Sequence, residues 1–275
     1  MADTTAVYAD RVTDVVYANG DVVSYKPKVM PRRSNYPFSA EMPELLYPGR
    51  KPVGKVKVDM ESEIGKNLIW YSNFINKKPL INKGGPVVDY TGNMVIGESH
   101  GAMSTFNNPA VDNLYWSCQN LNPYLSNKVT FFIDCRLNAS FTQSMFVFSK
   151  SVTSSFSFGV YAHKTSASYI AYVRTNGGNK NTPTNIAKYT IGERVVLVGV
   201  YDSSELVMYV NGVRMGSIAV TGDMDANGTE ISVNRWGDGG AFLISVYSAG
   251  IMNIALDDEQ VFDLAHDPYK FLIPA

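Results

Sequence analysis

Apolar residues along this chain recur at every second position or in short unbroken runs, and turn residues separate the runs. Val195-Val-Leu-Val-Gly-Val-Tyr201 is an apolar strand that breaks at Asp202-Ser-Ser204. Leu206-Val-Met-Tyr-Val210 and the residues from Val213 flank Asn211-Gly212. Asn-Gly between alternating runs is a hairpin signal, because its turn needs positive φ at both central residues. The spacing therefore predicts that 206–210 pairs antiparallel with 213–219. Further strands are predicted at 128–135, 144–149, 155–161, 168–174 and 240–247, with a loop at Asn176-Gly-Gly-Asn179. Many short strands, no fixed-period repeat and almost no helical spacing describe a sandwich or jelly roll.

One helix is predicted, near the C-terminus. Asp257 can cap it with Gln260 at its third position, Leu256 and Val261 can close as a staple, and Pro268 stops it. Val261, Leu264 and Ala265 then share one face. A short amphipathic helix after a run of strands reads as a lid on a β-sandwich.

The N-terminal part differs. Residues 13–18 and 21–25 alternate around Asn19-Gly20, a second and smaller hairpin. From Lys26 to Lys57, Pro27, Pro31, Pro37, Pro43, Pro48 and Pro52 recur without apolar periodicity. That texture predicts an extended tether. The division expected is an arm over 1–57 and a sandwich over 58–275.

Composition narrows the function classes. Seventeen Tyr, thirteen Phe and only 18% charged residues favour sheets. A net charge of −1 gives no electrostatic footprint for nucleic acid. No apolar run reaches the ~20 residues of a membrane span. Met1-Ala-Asp-Thr-Thr-Ala6 lacks a basic region and an apolar core, so no signal peptide is expected. Cys118 and Cys135 sit among apolar residues and read as two buried thiols.

The order of apolar strand, Asp202, Tyr209-Val-Asn-Gly-Val213, then Ala255-Leu-Asp-Asp-Glu-Gln-Val261 and Asp267-Pro268 resembles the laminin-G-like, concanavalin-type jelly rolls. With its short closing helix and Asp-Pro exit, the chain most resembles the copies in bacteriophage structural proteins. Pro43 to Gly54 followed by Lys66-Asn-Leu-Ile-Trp-Tyr71 is similar to the lead-in of those phage proteins, in which a Pro-rich linker precedes the first strand. The resemblance implies an all-β, two-sheet antiparallel jelly roll with one short C-terminal helix. It further implies a virion structural protein, assembled in the host cytoplasm. A capsid decoration or head-surface protein anchored by its arm is the first expectation. Its partners would then be the major capsid protein or tail components, and a homo-oligomer is expected. The alternative is a tail-associated module that binds a receptor or host glycan.

Candidate chemistry is sparse, and no enzyme is expected. Asp59-Met-Glu61-Ser-Glu63 would line one face of a strand, as glycosidase carboxylates of this fold class do. The order Asp, Glu, Glu with Ser62 between the last two departs from the glycosidase pattern. A solvated strand entrance explains the same residues. Of His100, His163 and His266, none has metal-pair spacing, and His266 suits the carbonyls of the last helical turn. Laminin-G-like modules can hold calcium at a loop edge, which points to Asp202, Asp223 and Asp225. Asx turns explain the same side chains, and no cofactor is expected otherwise. Trp236 in the Gly-rich stretch Asn234-Arg-Trp-Gly-Asp-Gly-Gly240 is the candidate exposed aromatic, with Arg235 and Asp238 beside it as ligand-binding candidates. Trp70 and Trp116 are expected in the core. The basic pairs Arg32-Arg33 and Arg50-Lys51 are candidate partner anchors.

Overall fold

A computed structural model describes residues 13–16, 22–25, 56–74, 79–84, 90–91, 94–96, 103–105, 114–117, 121–140, 144–152, 155–225, 228–235 and 244–275. The chain divides into two compact units, 1–43 and 44–275. In the first, β1 (Thr13–Val16) pairs antiparallel with β2 (Val22–Tyr25), Val16 opposite Val22. The N-terminal hairpin is therefore present. Its Asn19-Gly20 turn lies outside the described residues, as do Arg32, Arg33, Arg50 and Lys51.

The second unit begins, among the described residues, with β3 (Val56–Val58), helix α1 (Glu63–Asn67), β4 (Leu68–Ser72) and β5 (Ile81–Asn82). Short strands follow: β6 (Tyr90–Thr91), β7 (Met94–Ile96), β8 (Met103–Thr105) and β9 (Leu114–Ser117). The long strands are β10 (Val129–Leu137), β11 (Met145–Val152), β12 (Ser155–His163) and β13 (Ser168–Thr175). Then come β14 (Gly178–Asn181), β15 (Ala187–Lys188), β16 (Arg194–Tyr201), β17 (Glu205–Val210) and β18 (Val213–Ala219). The unit closes with β19 (Glu230–Arg235), β20 (Ile244–Met252), helix α2 (Asp258–His266) and β21 (Leu272–Pro274).

Nearly all these strands form two sheets. One runs β18-β17-β16-β10-β20-β4-β5, with β8 also on β20 and β7 on β8. The other runs β14-β13-β12-β11-β19-β9-β6, with β15 also on β13. Every described pairing is antiparallel. The chain is an all-β jelly-roll sandwich. β3 pairs with β21 through Val58 and Leu272, so Val56 and Lys57, placed in the arm by the sequence, belong to the sandwich unit.

The predicted hairpin forms in the expected register, with Leu206 opposite Ile218 and Val210 opposite Val213. Asn211 and Gly212 hold φ of 51° and 82°, the left-handed region such a turn requires. Helix α2 has its capping box: Asp257 accepts from the Gln260 N–H, and the Gln260 side chain accepts from the Asp257 N–H. Helix α1 is an addition to the sequence reading, capped by Ser62. It explains why no strand carries Asp59, Glu61 and Glu63: Asp59 follows β3, Glu61 lies in a turn and Glu63 is the first helical residue.

Two apolar clusters account for the burial pattern. Ile69, Trp70, Phe131, Phe148, Phe158, Tyr169, Leu197 and Ile251 fill the space between the sheets. A second cluster, with Tyr71, Phe132, Val198, Tyr209, Val261, Leu264 and Phe271, lies on the outer side of the first sheet beneath α2 and the C-terminal segment. Strands buried on both faces read as continuous apolar runs, which is why β10, β16 and β20 show little alternation. β20 runs to Met252, five residues past the predicted end. The extension contains Gly250, where a Cβ would lie 2.4 Å from the Phe132 ring.

Gly199 is under the same constraint. A Cβ there would sit 2.2 Å from the ring of Phe131, itself stacked on Phe158 at 5.1 Å. Gly199→Ala should therefore cost about 2 kcal/mol as overpacking, read as a lower midpoint in urea at unchanged slope.

Candidate binding face

The outer side of the second sheet carries an aromatic group separate from both core clusters. β11 pairs with β12 with Phe146 opposite Tyr161, and β12 with β13 with Gly159 opposite Tyr172. The Phe146 ring stacks on Phe156 at 3.9 Å and meets Tyr161 and Tyr172 edge-on at 5.1 and 5.5 Å. The edge-on contacts are among those that aromatic quadrupoles favour.

Local irregularities build this group. Phe156 and Phe158 have the same parity along β12, so a regular strand would point both inward. The register skips from Lys150 opposite Phe158 to Ser151 opposite Phe156, leaving Ser157 as a bulge residue. Phe158 thus packs on Phe131 in the core, while Phe156 packs on Phe146. A second irregularity at Val147 lets Phe146 face outward although Val147 and Phe148 are both core residues. Small residues lie on the same side of the sheet as these rings. Ser149 and Ser232 share a 2.8 Å hydrogen bond, and a Cβ on Gly159 would come within 2.3 Å of the Phe148 carbonyl oxygen.

Phe156, Tyr161 and His163 are half-buried, leaving part of each ring at the surface. The polar edge comes from β13 and β14. The Tyr172 hydroxyl donates to Asn179 Oδ1 at 2.8 Å, and Arg174 pairs with Asp225 at 3.1 Å. Burial raises the Tyr172 pKa above the usual phenol range; Arg174 opposes the shift and Asp225 adds to it. The hydroxyl therefore stays a neutral donor. At the far end, Ser166 Oγ lies 2.8 Å from His163 Nδ1 and 2.6 Å from Ser168 Oγ. Flat apolar ring faces with a rim of hydroxyl, amide and guanidinium groups can hold a ligand that has both a C–H face and hydroxyls.

Neither a protein-family profile nor a curated protein matches this chain. Solved structures do. The receptor-binding domain of botulinum neurotoxin C/D mosaic serotype superposes with a TM-score of 0.60 at 8% identity, covering 73% of this chain and 51% of that one. The binding domain of botulinum neurotoxin DC in complex with SialylT gives 0.56 at 12% identity over 73% and 51%. The same domain in complex with rat synaptotagmin II gives 0.56 at 12% identity over 74% and 52%. This chain spans about half the length of the structures it matches. The likeness is one of fold. The laminin-G and phage resemblance rests on the sequence motifs alone.

Several of the residues singled out in the sequence lie outside the described residues. Trp236 and Asp238 lie outside the described residues; Arg235 ends β19 opposite Phe146, its side chain also undescribed. The three calcium candidates are each engaged by protein groups. Asp202 Oδ1 accepts from the Ser204 N–H and hydroxyl and the Glu205 N–H, each at 2.8 Å. Burial pushes the Asp202 pKa up, but those donors outweigh it and hold the carboxylate below its usual range. Asp223 accepts from the Asn127 amide and Asp225 pairs with Arg174. Among the described residues no group of three His, Cys, Asp or Glu side chains is placed to hold a metal ion.

Trp70 and Cys135 are buried in the core as expected, while Cys118, His100 and the Trp116 side chain lie outside the described residues. His266 sits at the end of α2 with Nδ1 2.8 Å from the Phe262 carbonyl oxygen, the role its position suggested. Among the described residues no helix is long and apolar enough to cross a membrane. The sequence missed Phe146, Phe156, Tyr161 and Tyr172 as a group. Their aromatic content is visible in it, but the bulges that turn them to one side are not.

Proposed function

We propose that the sandwich is a non-catalytic recognition module whose outer aromatic face binds glycan. The observation that carries this reading is the Phe146–Phe156–Tyr161–Tyr172 group, outside both cores and bordered by Asn179 and Arg174. Phe146 and Tyr172 are buried and back the half-buried Phe156 and Tyr161, whose rings suit the apolar face of a pyranose, and the rim suits its hydroxyls. The fold likeness adds support, since the similar domains are described as binding domains, one in complex with SialylT. Fold alone does not carry function. The test is an array of immobilised oligosaccharides probed with the full chain. Retention of a restricted set of glycans, with no cleavage products, is expected. Uniform absence of retention, or hydrolysis of a retained glycan, would overturn the reading.

A second element comes from the phage-like motifs: that the module belongs to a bacteriophage virion, with residues 1–57 as its attachment to a capsid or tail partner. The separate β1–β2 hairpin supports it, because a hairpin of four-residue strands buries too little to stand by itself. Deleting 1–55, which leaves β3 on the sandwich, should abolish co-sedimentation with virions. Full co-sedimentation of the truncated chain would place the attachment in the sandwich.

A further inference from the structure

A recess of about 320 Å³ lies on the other side of the sandwich, between the β17–β18 turn and the C-terminal end of α2. Val196, Ala265 and Pro268 give it apolar walls, and Arg194, Asn211 and His266 its polar groups. The volume is at the small end of ligand pockets, the size of one sugar ring. We propose that this recess is a second binding site, for a neutral monosaccharide unit, independent of the aromatic face.

The hydrogen-bonding roles of the polar groups select the ligand class. Asn211 Oδ1 accepts from the Val196 N–H at 2.8 Å, which directs the amide so that Nδ2 is its remaining donor. Asn211 is exposed, and its backbone is fixed at φ 51° by the turn, so the side chain is anchored. His266 Nδ1 faces a carbonyl oxygen, which only accepts, so Nδ1 carries the proton, and the tautomer this selects has its acceptor at Nε2. The His266 ring is held against the Phe262 ring at 3.9 Å. Arg194 lies beside them with its guanidinium clamped by Asp134.

The recess thus presents fixed donors next to a fixed acceptor. Sugar hydroxyls, which both donate and accept, match that set. A carboxylate does not: it would face the imidazole lone pair and the carbonyl end of α2, whose dipole disfavours an anion. The Arg194 charge gives little compensation, since the buried Asp134 already balances it. Apolar walls on either side suit the C–H surface of a pyranose.

The test is amide-detected NMR of the full chain titrated with methyl glycosides of glucose, galactose and N-acetylglucosamine, and separately with glucuronate and N-acetylneuraminate. Saturable shifts of the Asn211 side-chain amide and the Val195 and Val196 N–H groups are expected with at least one neutral glycoside. Asn211→Asp keeps the oxygen that caps Val196 and tolerates the left-handed turn. It exchanges the donor for an acceptor and should weaken binding about tenfold at an unchanged melting temperature. Shifts with the charged sugars alone, no shift at the recess with any of the five, or undiminished binding by Asn211→Asp would each overturn the inference. Shifts confined to Tyr161 and Tyr172 would overturn it too, while leaving the aromatic face as proposed.

Discussion

Arg194→Met should destabilise the sandwich by about 3 kcal/mol, lowering its melting temperature by roughly 10 °C. The reason is the carboxylate left behind. Asp134 is fully buried on β10, and Arg194 on the neighbouring β16 reaches it with Nε at 2.9 Å and Nη2 at 2.5 Å. Burial opposes the Arg194 charge, but the Asp134 hydrogen bonds and charge outweigh it and hold the guanidinium above its usual range. Tyr269 adds only a long 3.3 Å hydrogen bond to Asp134, and the guanidinium also lies over the Tyr247 ring at 4.2 Å. Without the arginine, the buried carboxylate loses two charge-assisted hydrogen bonds and the opposite charge that faces it. Urea unfolding of the two single variants and of Arg194→Met/Asp134→Asn gives the coupling. The double variant should recover part of the loss, because a neutral amide costs less to bury. A loss below about 1 kcal/mol for Arg194→Met would mean that water reaches Asp134 and the pair behaves as a surface ion pair.

Trp70→Ala should cost as much or more, about 3–5 kcal/mol. Trp70 is fully buried on β4, and its ring packs against Phe148 of the opposite sheet at 5.8 Å. Truncation removes the bulkiest fully buried side chain among the described residues and leaves a cavity that two packed sheets cannot readily collapse to fill. Trp70→Phe should cost distinctly less, because a ring remains. Equilibrium unfolding of both variants checks the order. Equal losses would mean that the space is filled by movement of β4.

The parts of this fold written in local chemistry were legible without coordinates. Asn211-Gly212 dictates its hairpin, and Asp257 with Gln260 dictates the start of α2, since each satisfies backbone groups within a few residues. The burial of Trp70 followed from the general burial of sandwich aromatics. Register across strands was not legible, because it is a property of pairs far apart in the chain. The bulges at Val147 and Ser157 decide which aromatics reach the outer face, and neither leaves a mark such as Gly or Pro. The same gap explains Asp59, Glu61 and Glu63. Their alternation suggested a strand, but Ser62 caps a helix, its Oγ accepting from the Gly65 N–H at 3.0 Å. The clustering of Arg194 with Asp134 joins residues sixty positions apart and had no signal in either segment.

The outer aromatic face is tested most directly by calorimetric titration of the full chain with the best-retained oligosaccharide from the array, for the wild type and for Tyr161→Ala. Tyr161 is half-buried and belongs to neither core cluster, so its truncation should leave the melting temperature within a few degrees. Loss of one stacking ring should weaken binding about tenfold or more, equivalent to at least ~1.4 kcal/mol. Undiminished affinity in Tyr161→Ala, with the protein folded, would contradict the assignment of glycan binding to this face.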